Sequence, residues 1–270
     1  MRIRCTVVTG LVAGGLLLGA AVQTARAVAV STEILLLADV SGSLDATDFA
    51  LQRDGYAAAF QSAIVKDSIA AHGPIAVSLV YWSDGQDVAV PWTLISNAAE
   101  SDAFAAAIAA APRPSSGGTR MAAAMNFGTP LFDGNGFEGG RLVMDVSGDG
   151  ADSDNGFQNL NAPNVQAARD NALANGVTTI NALWIDDRDF FGDDAADLIN
   201  ALDYGNLNVL GGVSPFQGIV QDFPEFSGAI ISKIGREVIP PPQGLPDGGA
   251  TALLLGMGLL GLGFSRRFQN

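Results

Sequence analysis

The run Ile34-Leu35-Leu36-Leu37-Ala38 is apolar in both phases of a β-strand, and it ends at once in Asp39-Val40-Ser41-Gly42. A strand with one wet face alternates apolar and polar residues; a strand apolar in both phases has to be covered on both sides. About a hundred residues later the stretch Arg141 to Val146 repeats the arrangement and runs into Asp145-Val146-Ser147-Gly148, the same tetrapeptide. Between and after these runs, helix-type and strand-type patterns alternate. Asp45 to Ala71 reads as one helix, with Phe49, Tyr56, Phe60 and Ile64 on a common face and Asp45 as its cap. Ile75 to Trp82 and Val88 to Ile95 read as strands, the second demoted to a sheet edge by Pro91. Ser101–Ala111, Thr119–Phe127, Val165–Ala174 and Asp193–Leu202 read as helices, with Val177–Ile185 and Phe216–Val220 as strands. Asp222, with Glu225 three residues on, opens a last helix that runs to about Val238. Alternation of this kind predicts an α/β fold, a mostly parallel sheet with helices on both faces.

In such a sheet the carboxyl ends of the strands share one rim, and ligands bind there where the strand order reverses. The sequence places a consistent chemistry at that rim. Asp39, Ser41 and Ser43 supply a carboxylate and two hydroxyls within five residues. Thr119 follows Gly117-Gly118, where the backbone is free to come close, and Asp149-Gly150 follows the second Asp-Val-Ser-Gly copy. Two carboxylates and three hydroxyls, with no imidazole or thiolate, form an oxygen-only set of the kind that Mg2+ prefers, with Mn2+ or Ca2+ as alternatives. Singly, Ser41 and Ser43 also suit turns and caps, and Asp149 suits a turn. Asp145 and Ser147 alternate with Asp149, so they are candidates to back the metal ligands, although a core Asp bonded to backbone groups explains Asp145 equally well. The run Asp149 to Gly156 has a calcium-loop flavour but lacks the spacing and the distal Glu of such loops. His72 reads as a loop residue without a role, and Trp82 and Trp92 as sheet packing. The acidic run through Asp186, Asp187, Asp189, Asp193 and Asp194 reads as a solvated loop, with Phe190 and Phe191 as candidate partner contacts.

Taken together, Asp-x-Ser-x-Ser, a later Thr after glycines and a still later Asp-Gly resemble the metal-ion-dependent adhesion site of von Willebrand factor A domains. The segments Leu51–Tyr56, Val90–Ile95, Ala111–Pro114 and Asp145–Gly150 are similar to those of a bacterial family of uncharacterised exported proteins with A-like domains, and the resemblance runs over residues 31–239. It implies a Rossmann-like, doubly wound, six-stranded sheet in the order 3-2-1-4-5-6 with the Pro91 strand antiparallel at one edge. It also implies that Asp39, Ser41, Ser43, Thr119 and Asp149 surround the metal, leaving a sixth position for water or a partner's carboxylate. Ser147-Gly148 stand where many A domains carry an apolar residue and Thr.

The ends of the chain carry addresses. Arg2 and Arg4, the mostly apolar Val7–Val22 and the small-x-small Ala25-Arg26-Ala27 predict an export signal over residues 1–27. The chain's single cysteine, Cys5, lies inside it, so a disulfide and a Cys-bound zinc are not expected in the mature protein. Residues 240–249 read as a linker and motif, Leu245-Pro246-Asp247-Gly248, and residues 250–270 as an apolar segment with a basic tip. The apolar run Ala250–Phe264 spans only about 22 Å at about 1.5 Å per residue, short of a membrane core of about 30 Å. This tail resembles the PEP-CTERM group of sorting signals, closest to the Val-Pro-Asp-Ser-Gly variant, with Leu245 for Val and Gly248 for Ser. The resemblance implies handling by an exosortase-type peptidase, with the membrane touched only through this segment; a plain anchor is the alternative.

The whole chain carries a formal charge of −14, and basic residues are concentrated near its ends, leaving nine basic against 28 acidic residues, a net of −19, between Glu33 and Asp247. That balance repels nucleic acid. A serine hydrolase needs a base, and His72 is the only histidine; a phosphatase of the Asp-x-Asp type needs a second Asp where Ser41 stands. The expected function is therefore a non-enzymatic, exported, cell-surface binding module whose metal grips a carboxylate on an unknown protein or acidic polysaccharide. A structural surface protein with a loop-stapling metal, and a metal-dependent hydrolase, are the alternatives.

Overall fold

A computed structural model describes residues 26–114, 116–156, 159–185 and 201–240. The expected export signal up to Ala25 and the expected sorting tail from residue 241 onward thus lie outside the described residues, as do the acidic run with Phe190 and Phe191 and nearly all of the expected helix Asp193–Leu202. The central sheet is built on β2 (Thr32–Asp39), every residue of which is buried. β3 (Ile75–Trp82) pairs with one side of β2 and β6 (Leu142–Gly148) with the other, both in parallel. β7 (Thr179–Ile185) continues in parallel beyond β6, and β4 (Gln86–Ile95) closes the far edge antiparallel to β3. The edge position of the Pro91 strand follows from the missing donor of proline, and the β3–β4 register shifts between Val77 and Val80, beside it.

Among the described residues this sheet has seven strands rather than six. The last place in the order is shared: β8 (Gly211–Gly212) pairs antiparallel with the start of β7, and β9 (Gln217–Val220) pairs in parallel with its end. Glycine permits the extra strand. Gly212 has φ +85°, and a Cβ there would lie 2.1 Å from the carbonyl oxygen of Thr178. A separate two-stranded ribbon pairs β1 (Val28–Val30) with β5 (Phe137–Gly139).

The two-sided burial expected of β2 is realised as two cores. Ile34, Leu36 and Ala38 face α1 (Ala46–Gln61), α2 (Ala63–His72), α3 (Ala98–Ala110) and α7 (Phe223–Val238). Leu35 and Leu37 face α4 (Met121–Gly128), α5 (Pro163–Ala174) and the short α6 (Ala201–Tyr204), which runs on as one π-type turn over Gly205–Val209. Trp82 is fully buried in this second core, and Trp92 packs against it while donating to the Leu131 carbonyl at 2.8 Å.

Two helix expectations are corrected. The expected single helix from Asp45 to Ala71 breaks at Ser62, which takes an extended conformation, donates to the Ala59 carbonyl and caps α2 by accepting from Val65. The break rotates the next turn, so Ile64 leaves the apolar face and is 55% exposed. Thr119 precedes α4 rather than opening it. His72 ends α2 and is exposed. Among the described residues no helix is long and apolar enough to cross a membrane.

Candidate metal centre

From β2 the chain crosses over to β3 on one side, while from β6 it continues to β7 on the other; the carboxyl ends of β2 and β6 therefore flank a topological switch point. Asp39 is the last residue of β2. Its Oδ1 accepts the Ser41 N–H at 2.7 Å, a tight turn that draws the chain off the sheet and aims the following hydroxyls back across the rim. The Ser41 and Ser43 hydroxyls lie 3.1 Å apart, and Ser43 Oγ donates to Asp149 Oδ1 at 2.8 Å. Four of the five residues read from the sequence, Asp39, Ser41, Ser43 and Asp149, are thus joined in one hydrogen-bonded chain. Thr119 is buried on a loop tied to both halves of that chain: Gly42 donates to the Gly117 carbonyl at 2.8 Å, and the Thr119 carbonyl accepts from Ser153 N–H and Oγ at 2.8 and 3.0 Å.

The electrostatics of the rim are unbalanced. Asp39 is fully buried, and its Oδ2 has no hydrogen-bond partner. Burial, then the neighbouring charge of Asp149, holds its carboxyl well above the usual carboxylate range, against the weaker opposing pull of Ser41 and of the Asp149 backbone. An orphaned carboxylate oxygen beside a second carboxylate and two hydroxyls fits a hard divalent cation, which would supply the missing partner and offset the repulsion. Among the described residues no group of three or more His, Cys, Asp or Glu side chains is arranged to hold a metal. A cation here would have to be held by Asp39 and Asp149 with the hydroxyls of Ser41, Ser43 and Thr119, and would supply an open position for an incoming carboxylate.

Residues beyond this set shape the rim. Arg113, between Pro112 and Pro114, donates to the carbonyls of Val40, Ser41 and Leu44 through one nitrogen, at 3.2, 3.0 and 2.8 Å, and to Asp45 through the other, at 3.2 Å. One guanidinium thereby fixes the whole β2–α1 loop, which then enters α1 through a capping box between Asp45 and Asp48. Buried Gln52 donates to the Asp39 carbonyl at 2.8 Å. Arg120 pairs with Asp84 from the β3–β4 turn and with Asp154, joining three loops. The only sequence signal for Gln52 is a polar residue in phase with Phe49 and Tyr56 on a helix face that is otherwise apolar. For Arg113 it is a long donor held between two prolines.

Asp145 and Ser147 point into the core on the α1 and α7 side. Ser147 Oγ lies 2.9 Å from Tyr56 Oη, and Asp145 is ion-paired with Lys233 of α7, which also reaches Glu237 at 2.7 Å. Neither of the roles open to Asp145 in the sequence, backing the metal ligands or bonding to the backbone, anticipates this buried pair. The Asp149–Gly156 run is used as a staple: both Asp152 oxygens accept hydrogen bonds, from Ala122, Asp154, Asn155 and Asn164, which leaves them poor ligands for a second ion.

Comparison with known proteins decides the family. The model of the family described as "Protein of unknown function (DUF1194)" matches residues 29–242. The chain belongs to the DUF1194 family. No curated protein matches this DUF1194 chain. Solved structures match its fold at low identity. Proximal thread matrix protein 1 of the mussel byssus is 17% identical with a TM-score of 0.54, covering 78% of this chain and 49% of its own. The pilus adhesin SpaC of Lactobacillus rhamnosus GG is 16% identical with a TM-score of 0.55, covering 80% of this chain and 31% of its own. A von Willebrand factor type A protein of Catenulispora acidiphila is 16% identical with a TM-score of 0.50, covering 77% and 42%. The DUF1194 chain therefore has an α/β fold of the von Willebrand factor A type, and it spans half or less of the length of these structures.

Proposed function

We propose that this chain is an exported binding module of the cell surface, which holds a divalent cation, Mg2+ in the first instance, at the rim and through it grips a carboxylate on a protein or acidic polysaccharide. The carrying observation is the buried Asp39 Oδ2, which lacks a hydrogen-bond partner while Asp39 also feels the charge of Asp149. Support for the class comes from two fold neighbours: the mussel matrix protein has been solved with a zinc-occupied metal-ion-dependent adhesion site, and SpaC is named as a pilus adhesin. In this reading Asp39 and Asp149 supply the charge, while Ser41, Ser43 and Thr119 complete the shell with neutral oxygens. Arg113 keeps the ligand loop from collapsing onto the open coordination position. Residues 1–27 direct export, and residues 240–270, with Leu245-Pro246-Asp247-Gly248, deliver the chain to an exosortase-type peptidase.

The test is capture on the native cell envelope with Mg2+ and with excess chelator, for the wild type and Asp39→Ala. Mg2+-dependent capture lost in the variant supports the reading, and capture that persists in chelator overturns it. The rim's dense cross-loop bonding favours one second reading, a cation that only staples loops. In that case chelator lowers the melting temperature but no partner is captured under either condition.

A further inference from the structure

The opposite edge of the sheet holds a cavity that the rim chemistry does not use. In a domain this acidic, basic side chains are scarce, and six of the eight among the described residues from 31 to 240 are committed elsewhere. Arg53, Lys66, Arg120, Arg169 and Lys233 are ion-paired, and Arg113 is engaged by backbone carbonyls. The remaining two, Arg141 and Arg236, line one cavity of about 260 Å3 together with Val213, Phe216, Ile239 and Pro240. Arg141 immediately precedes β6, whose far end leads to Asp149, so the cavity and the rim are separated by the length of that strand, roughly 25 Å at about 3.3 Å per residue.

The two guanidiniums are held differently. The Arg236 guanidinium carbon lies 3.8 Å from the centroid of the Phe216 ring, a stacking contact that engages the face of the guanidinium and not its N–H donors. Arg141 donates one nitrogen to the carbonyls of Glu237 and Ile239 at 2.9 and 3.1 Å. That contact covers the negative carboxyl end of α7, which would otherwise repel an anion from the cavity, and leaves further donors on the same guanidinium. A pair of fixed planar forks matches an oxyanion with two or more oxygens, and the apolar wall suits a compact body attached to it. We propose that this cavity is a second binding site, selective for a small oxyanion of the carboxylate or sulfate class.

The full-length protein, held in chelator so that the rim is metal-free, is melted against sodium galacturonate, sodium sulfate, galactose and sodium chloride at matched ionic strength. The site is supported if galacturonate or sulfate gives a saturable rise in melting temperature that galactose and chloride do not. The apparent affinity should fall at least tenfold in Arg236→Gln and be partly restored in Arg236→Lys. A response to galacturonate alone identifies a sugar carboxylate, and a response to sulfate alone identifies an inorganic or ester oxyanion. The proposal is overturned if neither anion gives a saturable shift, or if Arg236→Gln, melting as the wild type does without ligand, responds as the wild type does.

Discussion

At the residue scale the decisive position is Asp39, a buried carboxyl at the carboxyl end of the central strand, with one oxygen accepting from Ser41 and the other without a hydrogen-bond partner. An amide in its place keeps the acceptor for Ser41 and removes the charge that faces Asp149. In chelator, Asp39→Asn is expected to melt at or above the wild-type temperature, whereas other buried polar substitutions usually destabilise. With Mg2+ at about a hundred times its dissociation constant, the wild type should gain about 2.7 kcal/mol and the variant almost nothing. Differential scanning calorimetry in both buffers checks this, and a variant that melts well below the wild type in chelator would count against it. Arg113 is the companion case. Lys offers one point charge in place of a fork that meets four carbonyls, so Arg113→Lys is expected to cost about 2 kcal/mol in urea unfolding and to weaken cation binding together with stability.

Elements show where sequence reading succeeds and fails. The strand ends were legible because the information is local: an apolar run in both phases has one solution, and Asp, Ser and Gly at its end are turn formers. The break at Ser62 was not, since neither Gly nor Pro marks it and the flanking residues are all helix-compatible. Both α1 and α2 pack against α7 across the break, and one hydroxyl serves both ends, donating to the Ala59 carbonyl and accepting from Val65. Ser62→Ala should therefore cost about 1 kcal/mol, as the loss of a helix cap does, read from the shift in urea midpoint at constant slope. The shared last position of the sheet was equally hidden, because two glycines carry no side-chain pattern. The Asp145–Lys233 pair joins residues nearly ninety positions apart, and no spacing rule reaches that far.

At the scale of the whole molecule, that pair makes stability depend on pH. Burial, then the charge of Glu237, pushes the Asp145 carboxyl up to about 7 against the pull of Lys233. Burial alone would lower the Lys233 ammonium, but Asp145 and Glu237 more than reverse it, so it stays charged. In the unfolded chain Asp145 ionises near its ordinary value of 3.8. Between roughly pH 4 and pH 7 the folded state therefore binds the extra proton, and stability falls as pH rises through that window, by a few kcal/mol at most. Asp145→Asn should flatten this slope in urea titrations from about pH 4 to about pH 8, and a slope unchanged in the variant would assign it elsewhere.

The interrupted edge at β4 bears on how many copies can share a small space. A strand on the outside of a sheet is a template for its neighbour's backbone, and a long, regular one invites stacking of copies. Here Pro91 deletes a donor midway along the exposed strand, and the ladder slips beside it, so no uninterrupted row of partners is on offer. Restoring the donor with Pro91→Val should raise light scattering at high protein concentration while leaving the thermal shift produced by Mg2+ unchanged. On this account the ring of Pro91, closed onto its own nitrogen, guards the open edge.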